Sequence, residues 1–140
     1  MATFVDFDIL SEDILSAVHD FNAGGDTIMA YLTNTAPTVA TDALLADLAG
    51  ITEQNGYAAA DIQNDLSQTG GTATVTGVDI TITATGAVGP FRYVVLYNST
   101  TSVKTDPLIS YYDYGSSISL ANGEEFVIDI GASVLTAAFA

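Results

Sequence analysis

Few side chains in this sequence are of the types that usually perform catalysis. His19 is the single histidine, and there is no cysteine. A hydrolytic triad needs a histidine that accepts and returns a proton, but no Gly-x-Ser-x-Gly nucleophile motif accompanies His19. Its neighbours Val18, Asp20 and Phe21 place it near the end of a predicted helix, where an imidazole interacts favourably with the negative end of the helix dipole. We therefore interpret His19 as structural and predict that the protein is not an enzyme.

Acidic residues are the next candidates for chemistry, since the chain has seventeen Asp and Glu. Asp6 and Asp8 share a predicted strand face, Asp61 and Asp65 are one helical turn apart, and Glu124 and Glu125 are neighbours at a turn. Glycoside hydrolysis needs two facing carboxylates, and calcium needs several clustered oxygens. The acids here are scattered, and no stretch matches the Asp-x-Asp-x-Asp-Gly calcium loop. We predict no catalytic residue, no cofactor and no metal ligand, and leave open whether one acidic pair binds calcium.

Arg92 is the most unusual charged residue, because it lies inside an otherwise apolar predicted strand. A guanidinium in that position needs a carboxylate or a set of carbonyls as its partner. We predict a structural ion pair and keep a salt bridge to a neighbouring subunit as the alternative. The glycine pairs at 70–71 and 86–89 are predicted turns, since neither is followed by the lysine of a P-loop.

The overall charge excludes two classes of partner. Only Arg92 and Lys104 oppose the acids, which gives a formal net charge of −15. Such a chain is repelled by nucleic acid and by anionic lipid, so we predict neither as a partner. With 49% apolar residues the composition is globular, and the length predicts a single domain over residues 1–140. We recognise no signal peptide and no apolar run of about 20 residues, so we expect a soluble product made in the cytosol.

The first half of the chain mixes helical and extended patterns. The predicted elements are a helix at 11–21, a strand at 27–33 and a helix at 41–50. The strand is apolar on both faces, which is typical of an interior position in a sheet. Residues 52–71 are polar and rich in turn residues, and we predict a long surface connection held down by Tyr57 and Ile62.

The second half has a period of two, which predicts strands. The predicted strands are 72–85, 91–97, 107–114 and 116–120, with a turn at 86–90. The inward face of the first strand changes by one residue at Gly77, which predicts a β-bulge there, with a tight turn as the alternative. The strand 91–97 is predicted to be the most buried, with Phe91 on the same face as Tyr93.

Asn122 and Gly123 form a hairpin signal. A three-residue loop with Gly123 at positive φ would keep the apolar residues before and after it on one face, with Glu125 and Asp129 pointing outward. Taken together, the pattern predicts a mainly β fold: an antiparallel β-sandwich or jelly-roll-like domain with one or two short α-helices.

Aromatic and apolar residues near both ends of the chain predict a docking surface. There are seven Tyr and six Phe, and rings left on an outer face are typical of interfaces, although an aromatic core with one exposed edge explains the same composition. The apolar tail 134–140 is predicted to be either a last strand or an arm that docks on a partner. The predicted interface comprises Phe4, Phe7, Arg92, Leu135 and Phe139, with the surrounding stretches 4–7 and 135–139.

Several segments, in order along the chain, resemble a family of small virion structural proteins encoded by tailed bacteriophages. They are VHDF at 18–21 followed by TIMAYLT at 27–33, NGY at 55–57, FRYVVLY at 91–97 and PLISYYDYG at 107–115. The resemblance covers most of the chain.

This resemblance implies a non-enzymatic capsid decoration, or cement, protein on the outer surface of the phage head. The implied partner is the major capsid protein, and assembly would take place in the host cytoplasm. We expect a homo-oligomer, with a trimer as first guess, because capsid symmetry axes offer equivalent contacts. The alternatives are a tail or receptor-binding component that uses the loop 98–106, and a carbohydrate-binding β-sandwich module with exposed tyrosines.

Overall fold

The computed structural model describes residues 2–130 and 134–139. In these residues, one α-helix and ten strands form in the order β1 Thr3–Asp6, α1 Ile9–Leu15, β2 Ile28–Thr33, β3 Ala60–Asp61, β4 Asp65–Thr69, β5 Thr72–Thr76, β6 Ile80–Thr83, β7 Val88–Asn98, β8 Leu108–Leu120, β9 Glu125–Ile128 and β10 Leu135–Ala138. They make three antiparallel sheets with strand orders β1-β8-β7-β2-β3, β10-β5-β4 and β6-β9. The predicted mainly β, sandwich-like fold is confirmed.

The five-stranded sheet is buried on both faces. On one face, Val94 and Leu96 of β7 belong to a large apolar core that also includes residues of β5, β6 and β9 from the two smaller sheets. On the other face, Tyr93, Val95 and Tyr97 belong to a second core with Phe7 and Leu48. Alternate residues of a strand point to opposite faces, so one apolar strand supplies both cores. Each fully buried aliphatic side chain contributes about 1.5–3 kcal/mol.

The strands at the centre of the sheet were predicted correctly. β2 lies between β7 and β3, and residues 93–98 of β7 are all buried. The assignment of Phe91 to the face of Tyr93 is wrong, because the register between β7 and β8 shifts on either side of Phe91, which lies in the larger core. The predicted turn at 86–90 overlaps the start of β7, and the two strands predicted at 107–120 are one continuous β8.

Both helix predictions need correction. α1 begins at Ile9 and ends at Leu15, since Ala17 adopts a φ of 55° that breaks the helix. The helix predicted at 41–50 is wrong, and only a 3₁₀ turn forms at Leu45–Asp47. The Asp47 carboxylate accepts hydrogen bonds from the N–H groups of Ala43 and Leu44. Such side-chain bonds to the backbone compete with a helix.

The predicted surface connection 52–71 contains β3 and β4, the second of which forms a hairpin with β5. Tyr57 and Ile62 are buried, as predicted, and hold this segment against the larger core. The Tyr57 hydroxyl accepts a hydrogen bond from the N–H of Leu32 at 2.8 Å. Burial raises the pKa of Tyr57 to about 12, so the hydroxyl is neutral at physiological pH.

At Gly77 and at Gly123, where a bulge and a hairpin were predicted, the chain instead crosses from one sheet to another. β5 and β6 belong to different sheets, so the break at Gly77 is neither a bulge nor a tight turn. A Cβ atom at Gly77 would lie 2.6 Å from Cγ2 of Ile130, a contact that only glycine avoids. Gly123 has the predicted positive φ of 88°. The hairpin is wrong, however, since β8 pairs with β7 whereas β9 pairs with β6.

Candidate docking surface

The predicted interface residues at the N-terminus differ in accessibility. Phe4 lies on the edge strand β1 and is 37% exposed, with its ring 4.9 Å from that of Tyr112. Phe7 is only 2% exposed and belongs to the second core. The Phe7 side chain is therefore largely committed to the interior, although Phe7 also lines one of the cavities described below, and its interface role stays a prediction. An interface role for Phe4 stays a prediction.

Arg92 forms the predicted structural ion pair. Its Nε and Nη2 atoms donate to the two carboxylate oxygens of Asp113 at 2.7 and 3.0 Å. This hydrogen bonding raises the pKa of Arg92 and lowers that of Asp113. The pair bridges β7 and β8 and lines none of the cavities described below. A contact between Arg92 and a neighbouring subunit stays a prediction.

Residues Leu135–Ala138 of the predicted tail 134–140 form the last strand, which was one of the two predicted alternatives, and residue 140 lies outside the described residues. β10 pairs with β5, placing Leu135 opposite Val75 and Ala137 opposite Ala73. These side chains and Leu66 of β4 make one apolar sheet face. This face is the floor of a cavity of about 390 Å³, whose opposite wall contains Ile14 and Phe21. Phe139 stands at its margin and is 80% exposed.

A second cavity, of about 360 Å³, adjoins the first. It is lined by Asp6, Asp8 and Ser11, and it shares Ile14 and Leu135 with the first cavity. Partial burial raises the pKa of Asp6. We call the two cavities together the terminal groove, because residues near both ends of the chain meet there. Asp6 and Phe7 of the predicted stretch 4–7 thus meet Leu135 of the predicted stretch 135–139, whereas Phe4 lines neither cavity.

One margin of the terminal groove is an unpaired strand edge. Within the described parts of the chain, β10 is the edge strand of its sheet and pairs only with β5. In an antiparallel edge strand, the backbone N–H and C=O groups of alternate residues point away from the sheet. The sequence of β10, Leu-Thr-Ala-Ala, contains none of the charged or proline residues that usually protect an edge. This edge is therefore open to pairing with another strand.

A buried polar cluster lies behind α1, and the sequence analysis did not predict it. Asp13 is fully buried, and Lys104 donates a hydrogen bond to its Oδ1 atom. Asn98, also fully buried, donates to Asp26 at 2.7 Å and to Nδ1 of His19 at 3.0 Å. The one signal in the sequence was the excess of acids over cations, which favours an acidic partner for Lys104 without identifying it.

His19 belongs to this cluster and not to a helix end. Its side chain is fully buried, and its Nε2 atom lies 3.9 Å from Oδ2 of Asp13. Since Nδ1 accepts the bond from Asn98, the proton of the neutral ring is on Nε2. Burial lowers the pKa of His19, although the nearby Asp13 and Asp26 act in the opposite direction. The imidazole is closed off from any substrate in solution.

The acidic pairs are used mainly in local turns. Asp61 accepts a hydrogen bond from the N–H of Gln63, and Glu124 accepts one from the N–H of Ala121. Across residues 2–130 and 134–139, no three histidine or acidic side chains are placed to share a metal ion. In the same residues, no helix has the length and apolar character needed to cross a bilayer.

Comparison with known proteins adds no further assignment. No protein-family model, no curated protein and no solved structure matches this chain.

Proposed function

We propose that this protein is a non-enzymatic decoration protein that binds the outer surface of a tailed-phage capsid and stabilises it by bridging capsid subunits. The terminal groove is the observation that supports this proposal. It combines an apolar sheet face with an open strand edge, both near residues whose sequence predicts an interface. Exposed apolar surface of this kind is typical of protein–protein contact sites.

The chemistry of the chain fits such a role. A decoration protein needs surface and rigidity, and it stabilises the assembled shell by mass action because it binds the shell and not its free subunits. A net charge of −15 suits the outer face of a capsid, away from packaged DNA. The homo-oligomer, with a trimer as first guess, is part of this proposal, since closed symmetry matches the axes of a shell.

The carbohydrate-binding alternative depended on exposed tyrosines. Five of the seven tyrosines are buried, and Tyr111 and Tyr114 are half-buried. Rings that stack on a sugar must present a free face, so none of these tyrosines offers a full stacking platform. The two virion roles, capsid decoration and tail component, are therefore the hypotheses that an experiment has to distinguish.

The deciding experiment is the copy number of this protein in purified virions, measured by quantitative mass spectrometry against the major capsid protein. A copy number comparable to that of the capsid subunits is the expected result. A handful of copies would instead assign the protein to the tail. Absence from the particle would end the virion proposal.

A further inference from the structure

We propose that the terminal groove binds an extended segment of the partner protein, which adds a strand to β10 and places a basic residue against Asp6 and Asp8. This inference rests on the proposed function for the source of the segment, which is then a capsid subunit. It adds the conformation and the charge that the segment must have.

The open edge of β10 determines the conformation. Its outward backbone groups can be satisfied by another strand, as in other cases of β-strand addition. A helix presents no free N–H and C=O groups along its length and cannot pair with this edge. The segment must therefore be extended over about the four residues of β10.

The floor of the groove determines the apolar pattern. Leu135 and Ala137, two residues apart, face the cavity, with Val75 and Ala73 beside them. A strand added to β10 continues the same pleat, so every second side chain lies over this floor or its margin at Phe139. The segment is thus expected to carry apolar side chains at alternate positions.

The charge of the groove determines the polarity of the segment. Asp6 and Asp8 line the end next to Leu135, and Asp20 lines the larger cavity. The two cations of the chain are engaged elsewhere, Arg92 with Asp113 and Lys104 with Asp13. The groove therefore has no cation of its own, and a lysine or arginine of the partner would be attracted to it.

The same charges disfavour a second copy of this chain as the occupant. Pairing of two copies through β10 would bring together two chains that each have a net charge of −15. Like charges juxtaposed in an interface oppose binding. A basic partner experiences the opposite effect.

The test uses overlapping 12-residue peptides that cover the whole major capsid protein of the same particle. Each is added to the ¹⁵N-labelled full chain, and amide shifts are followed by NMR. The expected binders have alternating apolar residues and a Lys or Arg, and they shift the amides of β10 and of Ile14. Binding of helical or acidic peptides with equal affinity, or of none of the peptides, would overturn the inference.

Two variants locate the site. Ala137→Asp places a charge on the floor and is expected to weaken peptide binding by about tenfold or more. Asp6→Asn combined with Asp8→Asn alters only exposed side chains, so it keeps the test valid if the first variant folds poorly. It is expected to weaken binding and to reduce its salt dependence. Val127→Asp, on the exposed face of β9, is the matched control and should bind normally.

Sedimentation with particles that lack the protein separates this inference from the proposed function. Wild-type chain that fails to bind the particles would contradict the function, and the inference with it. Wild-type and folded Ala137→Asp chains that bind equally would leave the function standing and remove the groove as the docking site. A dimer that forms in solution and is lost in Ala137→Asp would identify a second copy as the occupant, against the inference.

Discussion

Two neighbouring residues of α1 face opposite kinds of environment. Asp13 is fully buried in the polar cluster with Lys104 and His19. Ile14, the next residue, lines both cavities of the terminal groove and is half-buried. Thus the helix buries the charged Asp13 together with the apolar Leu10, whereas Ile14 packs against the larger core only in part and borders the groove.

The buried polar cluster stabilises the fold, whereas the apolar surface of the terminal groove is available for binding. A buried ion pair adds little to the free energy of unfolding compared with apolar packing, but the loss of one charged partner is strongly destabilising. Asp13 must therefore stay beside Lys104, and this requirement fixes the position of α1. The floor of the groove is only partly covered: Val75 belongs to the larger core, whereas Leu66 and Leu135 pack against it and stay half-buried. Apolar surface left exposed in this way is best explained by a partner that covers it.

The largest effect is expected for Lys104→Met, which leaves the Asp13 carboxylate buried without its cation. The free energy of unfolding should fall by about 3 kcal/mol, as measured by urea denaturation. The double variant Asp13→Leu with Lys104→Met is the control and should recover much of this loss, because it removes both charges. A loss below about 1 kcal/mol in the single variant would mean that water solvates Asp13 adequately.

A smaller loss, of about 2 kcal/mol, is expected for Asn98→Ala. This variant removes the donor to His19 and Asp26 and the acceptor for the N–H groups of Thr100 and Thr101. Ser99→Ala, at an exposed neighbour, should cost much less. Equal losses in the two variants would indicate that the cluster contributes no more than an ordinary surface turn.

Mild acid should also weaken the cluster. The pKa of His19 is lowered from its usual 6.5, so on acidification the unfolded chain takes up this proton first. Stability is therefore complete above about pH 6.5 and falls as the pH decreases towards the lowered value. Asp6, whose pKa is raised, has the opposite effect on stability: the folded chain takes up this proton first as the pH falls towards 3.8, the usual pKa of the group. Melting temperatures between pH 7 and 5.5 should fall for wild type and stay flatter for His19→Gln.

The smallest effect on stability is expected in the groove. Phe139→Ala removes a ring that is 80% exposed, so the free energy of unfolding should change by less than about 0.5 kcal/mol. Binding to particles should nevertheless weaken. A stability loss as large as that of Asn98→Ala would show that Phe139 packs on the chain itself, and the contrast between the two regions would then disappear.

The strands were largely predictable and their partners were not. The period of two in residues 91–97 and 108–120 is a local signal, and it located β7 and β8. The turn at Asn122 and Gly123 has the same sequence whether the flanking strands pair with each other or cross between sheets, so local chemistry could not distinguish these cases. The helix predicted in the leucine-rich segment 41–50 does not form, because contacts with Pro107 and Leu108 override the helical propensity of the segment.

The candidate site was predictable only in parts. Apolar residues at 135 and 139 and the stretch 4–7 indicated an interface, but nothing local revealed that Asp6 and Leu135 line one cavity. Likewise, Asp13 and Lys104 are 91 residues apart, and their pairing depends on the whole sheet between them. Long-range placement of this kind follows from topology, which the patterns of single segments do not contain.

The position of β1 affects how the chain folds during synthesis. Thr3 pairs with Asp113, so the first strand has no partner until most of the chain has been made. At about 5–20 residues per second, a ribosome needs on the order of 5–20 s to reach that point. β2 waits for a shorter stretch of synthesis, since Thr33 pairs with Tyr93 and Ile28 with Asn98 of β7. The five-stranded sheet is consequently completed only after β8 has been made, and slower translation prolongs the interval in which β1 and β2 lack these partners.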